Sequence, residues 1–170
     1  MKKGILIALA VSVVLSLPFY GYMWNLFMHI FGAILFMGNI IVTAAWLSMA
    51  KRSGSGGAVQ MATRSVVVTD VMFTLPGSML LLLNGGIMGT VWFKEKAPWI
   101  FASIALFLLS AIIWVAVLVP LQRRMVALSQ SEPTGPEMAA LMGKWFRFGG
   151  IATLLPFITL VLMVAKPKLW

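Results

Sequence analysis

Residues 25–50 read NLFMHIFGAILFMGNIIVTAAWLSMA, a run in which His29 is the only titratable side chain. A helix of about 20 apolar residues crosses the hydrocarbon core of a bilayer, which is about 30 Å thick. Comparable runs, including a shorter one at the N-terminus, occupy residues 65–93, 97–122, 148–165 and 4–20. The pattern predicts an all-α, polytopic transmembrane bundle of five spans, with a four-helix core plus an N-terminal helix.

The composition of the chain indicates one membrane domain over residues 1–170. Hydrophobic residues make up 61% and charged residues 10%, and the mean hydropathy is +1.00, which leaves too little polar surface to coat a soluble core. The formal net charge is +9. Because the basic residues are spread over short loops and helix ends, we expect no nucleic acid as partner. The expected counter-charges are the anionic lipid headgroups of the bilayer.

The distribution of lysine and arginine predicts the orientation. The first apolar run passes into bulky aromatic residues instead of a cleavage site, and is interpreted as an uncleaved helix that Pro18 ends or kinks. With a cytoplasmic N-terminus, nine of the 13 basic residues lie inside and four outside. The inner set is Lys2, Lys3, Lys51, Arg52, Arg64, Arg123, Arg124, Lys144 and Arg147, and the outer set is Lys94, Lys96, Lys166 and Lys168. This asymmetry predicts a cytoplasmic N-terminus and a C-terminus on the opposite side of the membrane.

The longest predicted loop, residues 123–147, is expected on the cytoplasmic side. Thr134 and Glu137 have the spacing of a capping box, and they predict a helix that follows the membrane interface and enters the last span at residues 149–150. Pro156 predicts a bend in that span. The loops are too short to hold a soluble active site.

Polar residues form one stripe on the second span and one on the third. At 100° per residue, the stripe of the second span comprises Asn25, His29, Gly32, Phe36, Asn39 and Thr43. That of the third comprises Asp70, Thr74, Gly77, Leu81, Asn84 and Met88. Such groups avoid hydrocarbon, so we expect the two helices to pack antiparallel through these faces, with a structural polar core of Asn25, Asn39, Asp70 and Asn84.

His29 has two interpretations. The favoured one is structural, in which the imidazole hydrogen-bonds to Asn84 at a similar depth. In the other, a neutral imidazole ligates a haem iron or another metal. With one histidine in the chain, a haem would need a methionine partner, a symmetric dimer or a five-coordinate iron.

Asp70 also has two interpretations. The favoured one is a salt-bridge anchor for Arg64, Arg123 or Arg147. The other is a proton-relay or ion-coupling carboxylate, which is disfavoured because a proton pathway needs further titratable groups along the membrane. His29 and Asp70 are expected near opposite ends of the helix pair, so they are not a catalytic pair. Gly85 and Gly89 have a spacing that permits close helix approach and leaves a homo-oligomer open.

Three segments carry a resemblance to known families: residues 29–39, residues 70–77 and Trp114-x5-Pro120-Leu121-Gln122-Arg123-Arg124. In this order they resemble an uncharacterised family of predicted bacterial integral membrane proteins, a domain of unknown function, over about residues 25–165. The resemblance implies the inner membrane of a bacterium, and with the predicted orientation the C-terminus is expected to be periplasmic. The first segment also resembles the histidine-bearing helix of copper-resistance-D-like proteins and of haem-containing membrane protoporphyrinogen oxidases. This second resemblance implies haem b ligation by His29, although the chain lacks the further histidine of that pattern.

These features predict a non-catalytic protein, an accessory or assembly subunit of a larger membrane complex, with a redox complex favoured. Its expected partners are the lipid bilayer and either such a complex or further copies of itself. The alternative is a haem b-binding membrane oxidoreductase with His29 as an axial ligand. A third interpretation is a small proton-coupled transporter that uses Asp70.

Overall fold

The computed structural model describes residues 2–17, 20–92 and 98–168, and the regular structure of these segments is helical. The helices are α1 (Lys2–Leu15), α2 (Tyr22–Ser53), α3 (residues 56–92), α4 (Pro98–Leu128) and α5 (Pro136–Ala165). Among the described residues, four helices, α2 to α5, are long and apolar enough to cross a membrane. The all-α prediction is confirmed, with four candidate spans and a short N-terminal helix.

The N-terminal helix is shorter than predicted. It ends at Leu15 instead of near Tyr20, and its 14 residues extend about 21 Å at 1.5 Å per residue, less than the hydrocarbon core of about 30 Å. A tight turn closes it, in which the amide of Ser16 donates to the carbonyl oxygen of Val13 at 3.1 Å. The residue before a proline disfavours the α conformation, which explains the early end. Pro18 itself lies outside the described residues.

A connection of two residues joins α2 to α3. Helix α2 ends at Ser53 and α3 begins at Gly56, well before the predicted start at Ser65. Gly54 has a φ of +64°, the left-handed conformation that glycine adopts without steric cost. The early residues Val59, Ala62 and Thr63 are buried. Helix α3 therefore starts as an amphipathic segment, which a search for continuous apolar runs does not detect.

Two prolines inside helices follow wider, π-helical turns. Asp70–Thr74 directly precedes Leu75 and Pro76 in α3, and Trp114–Leu118 directly precedes Val119 and Pro120 in α4. Proline has no N–H, and its ring clashes with the carbonyl group four residues earlier, so a wider turn relieves that clash. The widened bonds are present, since Leu75 N–H donates to Asp70 O and Val119 N–H donates to Trp114 O. A further π-helical segment, Met88–Trp92, ends α3.

The last helix is continuous from Pro136 to Ala165. Its N-cap is Gly135, without a side-chain hydrogen bond, so the capping box predicted at Thr134 is wrong. Proline at the first helical position needs no acceptor for an N–H and has a φ suited to the helix. The predicted interfacial segment is the first part of this helix, which has no break at residues 149–150. Pro156 is accommodated inside it.

The chain divides into two compact units: Met1–Ala45 with Ser65–Glu95, and Trp46–Arg64 with Lys96–Trp170. In the first, α1 packs on α3, and α3 packs on α2. In the second, α4 and α5 form an antiparallel pair. Ser110 Oγ donates to Ala152 O at 2.6 Å, and Thr159 Oγ1 donates to Ser103 O at 3.3 Å. The buried side chains of α5 in this unit include Met138, Leu141, Met142 and Trp145.

Candidate functional site

In the first unit, α2 and α3 face each other through the two predicted polar stripes. The contacts advance along α2 as they recede along α3, in the pairs Asn25 with Asn84, His29 with Leu81, Gly32 with Gly77, and Asn39 with Asp70. The prediction of antiparallel packing through these faces is confirmed. The four residues of the predicted polar core are all buried, with exposed fractions of 0 to 8%.

Two glycines bring the backbones of α2 and α3 into contact. A Cβ atom added to Gly32 would lie 2.8 Å from the carbonyl oxygen of Gly77, and one added to Gly77 would lie 2.9 Å from that of Gly32. Backbone atoms cannot rotate away as a flexible side chain can. Glycine at both positions therefore sets the distance between the helices, as small residues do in membrane helix pairs.

On one side of the glycine contact lies the Asp70 cluster, formed by Asn39, Asp70 and Thr74. Asn39 Nδ2 donates to Asp70 Oδ1 at 3.0 Å and to Thr74 Oγ1 at 2.8 Å, and Thr74 Oγ1 donates to Asp70 Oδ1 at 2.8 Å. The three side chains thus close a ring of hydrogen bonds. Asp70 Oδ1 accepts two of them, which stabilises a carboxyl group in a low-dielectric interior.

The predicted arginine partners of Asp70 have exposed side chains. Arg64, Arg123 and Arg147 are each exposed, and a salt bridge from one of them to Asp70 stays a prediction. The donors to Asp70 Oδ1 include the amide of Asn39, on the neighbouring helix, and the hydroxyl group of Thr74. Both residues lie on the predicted polar stripes, but neither is predicted as a partner of Asp70.

On the other side of the glycine contact lies the amide cluster, formed by Ser16, Asn25 and Asn84. Asn84 Nδ2 donates to Ser16 Oγ at 2.8 Å and to Leu80 O at 2.9 Å, and Asn84 Oδ1 accepts from Asn25 Nδ2 at 2.9 Å. The carbonyl group of Leu80 requires a donor, so the orientation of both amides follows from the network. Asn25 Oδ1 is left buried without a hydrogen-bond partner among the described residues.

His29 bonds to the backbone instead of to Asn84, so the predicted partner is wrong. Its Nδ1 lies 2.9 Å from Leu81 O. A carbonyl oxygen only accepts, so Nδ1 carries the proton and, in a neutral ring, Nε2 keeps its lone pair. A Cβ atom on Gly85 would lie 2.9 Å from His29 Cε1, so the imidazole fills the space that a side chain would take. At Gly89 nothing lies within 4 Å of an added Cβ.

Two features of the site are not predicted from sequence, the contact of Ser16 and the role of Gly85. Ser16 belongs to the turn that ends α1 and is bonded to a residue far along the chain. A signal was present, because Ser12 and Ser16 are one helical turn apart in an apolar segment, and both are buried, with exposed fractions of 1% and 3%. Gly85 is predicted as a helix contact, but its neighbour is the ring of His29.

The comparisons with known proteins identify a family. A family model described as "Predicted integral membrane protein (DUF2269)" matches residues 25–167. This segment includes His29 and the Asp70 cluster, whereas Ser16 precedes it. No curated protein and no solved structure matches the chain. Since the matched segment covers most of the chain, the protein belongs to this family of integral membrane proteins.

Proposed function

We propose that this member of the DUF2269 family is a non-catalytic accessory or assembly subunit of a larger membrane complex, with a redox complex favoured. The proposal places it in the inner membrane of a bacterium, with a cytoplasmic N-terminus and a periplasmic C-terminus. The orientation rests on the asymmetry of lysine and arginine between the two sides. The partner in this proposal is the larger complex. The hydrogen-bonded α2–α3 pair is the structural core of the subunit.

The observation that carries the proposal is that the polar side chains of α2 and α3 bond to one another. Asn39, Thr74 and Asp70 form a ring, and Asn84 bonds to Asn25 and Ser16. Groups used in this way hold two helices together and are not presented to a substrate. In the part of the chain that the structure describes, no three His, Cys, Asp or Glu residues form a metal-binding group.

The outer faces of the same helices support a partner in the membrane. Gly38 on α2 and Gly86 on α3 are exposed, and nothing lies within 4 Å of a Cβ added at either position. Exposed small residues allow the backbone of another helix to approach closely. Large apolar side chains, such as Ile34 and Ile41, lie exposed on the same helix as Gly38. Such a surface suits lipid or an apolar helix of another subunit.

Native electrophoresis of the tagged protein, expressed at its natural level and extracted in mild detergent, tests this proposal. We expect it to migrate within a complex far larger than its own 18.6 kDa. Deleting the gene should reduce the amount of assembled complex while leaving the activity of each assembled complex unchanged. Migration as an isolated chain, or loss of activity in complexes that still assemble, would contradict an accessory role.

The geometry of His29 favours a second candidate function, a haem b-binding membrane oxidoreductase. In metal sites the histidine commonly donates its other ring N–H to a backbone carbonyl, as His29 Nδ1 does to Leu81 O. Its Nε2 would then supply one axial ligand. A second axial ligand would have to come from a methionine or from another copy of the chain, unless the iron is five-coordinate.

A visible absorption spectrum of the purified protein separates the two functions. The accessory-subunit proposal expects no stoichiometric haem. A stoichiometric Soret band that His29→Ala abolishes would replace that proposal with the haem function. Asn39→Ala is the control, because it also removes hydrogen bonds of the helix pair but no imidazole, and it should leave any haem band in place.

A further inference from the structure

A groove of about 300 Å³ lies in the second unit, between α4 and α5. Its walls are apolar over most of their length and consist of Ala116, Val117, Pro120, Leu121 and Phe148. Two cations, Arg124 of α4 and Lys144 of α5, complete the lining, and both side chains are exposed. The volume is at the lower end of the range of small-molecule sites, roughly 300 to 1,000 Å³.

The local sequence of α4 explains why the groove exists. Ala116 and Val117 belong to the π-helical segment Trp114–Leu118, and Pro120 follows it. A wider turn displaces side chains from the regular helical positions. Alanine and proline carry short side chains, so they leave open a channel that longer residues would fill.

The antiparallel pairing places the two cations at one end. The bonds from Ser110 to Ala152 and from Thr159 to Ser103 set the pairing of the helices. Arg124 lies towards the C-terminus of α4 and Lys144 towards the N-terminus of α5, so both lie near the turn that joins the helices. The other end, beside Ala116, carries no charge. One end of the groove is therefore positively charged, and the rest of the groove is apolar.

We propose that this groove binds one anionic phospholipid, with an acyl chain along the apolar wall and the headgroup phosphate between Arg124 and Lys144. The helices that form it are the candidate spans Pro98–Leu128 and Pro136–Ala165, so the bilayer supplies the ligand directly. Basic pockets between membrane helices select anionic headgroups. A zwitterionic lipid carries its own cation beside the phosphate and gains less from these two side chains. Free phosphate would leave the apolar wall uncovered.

Native mass spectrometry of the detergent-purified protein tests the headgroup. We expect one phosphatidylglycerol molecule per chain to be retained at concentrations at which phosphatidylcholine with the same acyl chains is not. The double variant Arg124→Gln/Lys144→Gln should bind phosphatidylglycerol at least roughly tenfold more weakly, because it removes both cations that line the groove. Lys51→Gln/Arg52→Gln removes the same charge from another exposed pair and should retain wild-type binding.

A second arm tests the acyl chain. Ala116→Phe fills the groove with both cations in place and should weaken phosphatidylglycerol retention severalfold. Val115→Phe, at an exposed neighbour that does not line the groove, should have no effect. Circular dichroism and gel filtration check that each variant is folded. Equal retention by the two double variants, or by the two phenylalanine variants, overturns the proposal. So does displacement of the lipid by millimolar inorganic phosphate, which would indicate a simple anion site.

Discussion

The two antiparallel helix pairs of the molecule are held together by different chemistry. Between α2 and α3, side chains bond to side chains, Asn25 to Asn84 and Asn39 to Asp70, on either side of a glycine contact. Between α4 and α5, Ser110 and Thr159 each donate a hydroxyl group to a backbone carbonyl of the other helix. Side-chain pairs thus join α2 to α3, beside the bond of His29 to the backbone of Leu81, whereas the two bonds named between α4 and α5 both end on backbone.

This difference determines how strictly each pair is aligned. An amide or carboxylate pair is lost when one helix slides by a residue, whereas a hydroxyl group can bond to whichever carbonyl comes within reach. We therefore expect α2–α3 to tolerate substitution poorly and α4–α5 to adapt more readily. Buried polar atoms without hydrogen-bond partners in the described part of the chain occur in both units, Asn25 Oδ1 in the first and Ser103 Oγ and Trp145 Nε1 in the second, so they do not distinguish the two pairs.

The strongest test of this contrast is Gly32→Ala. The new methyl group would lie 2.8 Å from the carbonyl oxygen of Gly77, and we expect a loss of about 3 kcal/mol in the free energy of unfolding. Unfolding of the purified protein in mixed micelles measures it. Gly38→Ala on the same helix is the control, because its methyl group meets nothing and alanine favours a helix by about 1 kcal/mol relative to glycine. Equal changes in the free energy of unfolding for the two variants would show that the glycine contact does not set the distance between the helices.

The next effect concerns the Asp70 cluster. Asp70→Ala leaves the donors of Asn39 and Thr74 without their acceptor, and we expect a loss of about 2 kcal/mol in the same unfolding assay. A double-mutant cycle with Asn39→Ala should give a coupling energy of about 1 kcal/mol. Additive losses would show that the hydrogen-bonded ring does not form in the membrane protein.

The same assay tests the predicted salt bridge. Asp70→Asn should lower stability, because an arginine would lose its counter-charge. Substituting Arg64, Arg123 or Arg147 by glutamine in that background should recover part of the loss for the true partner. Absence of recovery for all three would contradict the salt-bridge anchor and leave the hydrogen-bonded ring as the role of Asp70.

A smaller effect is expected at His29. His29→Ala removes the bond to Leu81 O and opens a space beside Gly85, at a cost of about 0.5 to 2 kcal/mol. Gly85→Ala should reproduce part of that loss by displacing the ring, and the two changes together should cost less than their sum. Gly89→Ala, where nothing lies near an added Cβ, serves as control. Strict additivity would show that Gly85 does not seat the imidazole.

The smallest effect is expected in the second helix pair. Ser110→Ala removes one hydroxyl-to-carbonyl bond to Ala152, and membrane hydrogen bonds of this kind average about 0.6 kcal/mol. Thr153→Val is the comparison, because the hydroxyl group of Thr153 bonds within its own helix, to Gly149 O. If Ser110→Ala lowers the free energy of unfolding as much as Asp70→Ala does, the two helix pairs do not differ in how strictly they are aligned.

The features predicted correctly depend on periodicity within a single segment. The apolar runs mark α2 to α5, and a spacing of three or four residues brings Asn39 and Asp70 to facing stripes. The start of α3 was less predictable, because this helix begins as an amphipathic segment at Gly56, before its continuous apolar run, whereas a helix start close to Pro136 is predicted. The wider turns that precede two of the prolines leave no mark in the spacing of the polar residues and are not predicted.

The hydrogen-bond partners of the polar side chains were the least predictable part of the site. The acceptor for His29 is a backbone carbonyl, a group that every residue carries and that therefore has no signature in sequence. Asn84 bonds to Ser16 across 68 positions, and no contact between the N-terminal helix and the third span is predicted. The Asp70 prediction favoured a charged partner, whereas neutral donors on the polar stripes supply two of its hydrogen bonds.

The two-residue connection between α2 and α3 has a consequence for biosynthesis. A carboxylate at the centre of a nascent helix opposes its transfer from the translocation channel into lipid by about 2.5 to 3.5 kcal/mol. The amide that bonds to Asp70 belongs to Asn39, in the helix made just before, and only Gly54 and Ser55 separate that helix from the next. The two helices are thus suited to leave the channel together as a hairpin, with the acidic side chain already bonded. Membrane integration of the third helix would then depend on the second.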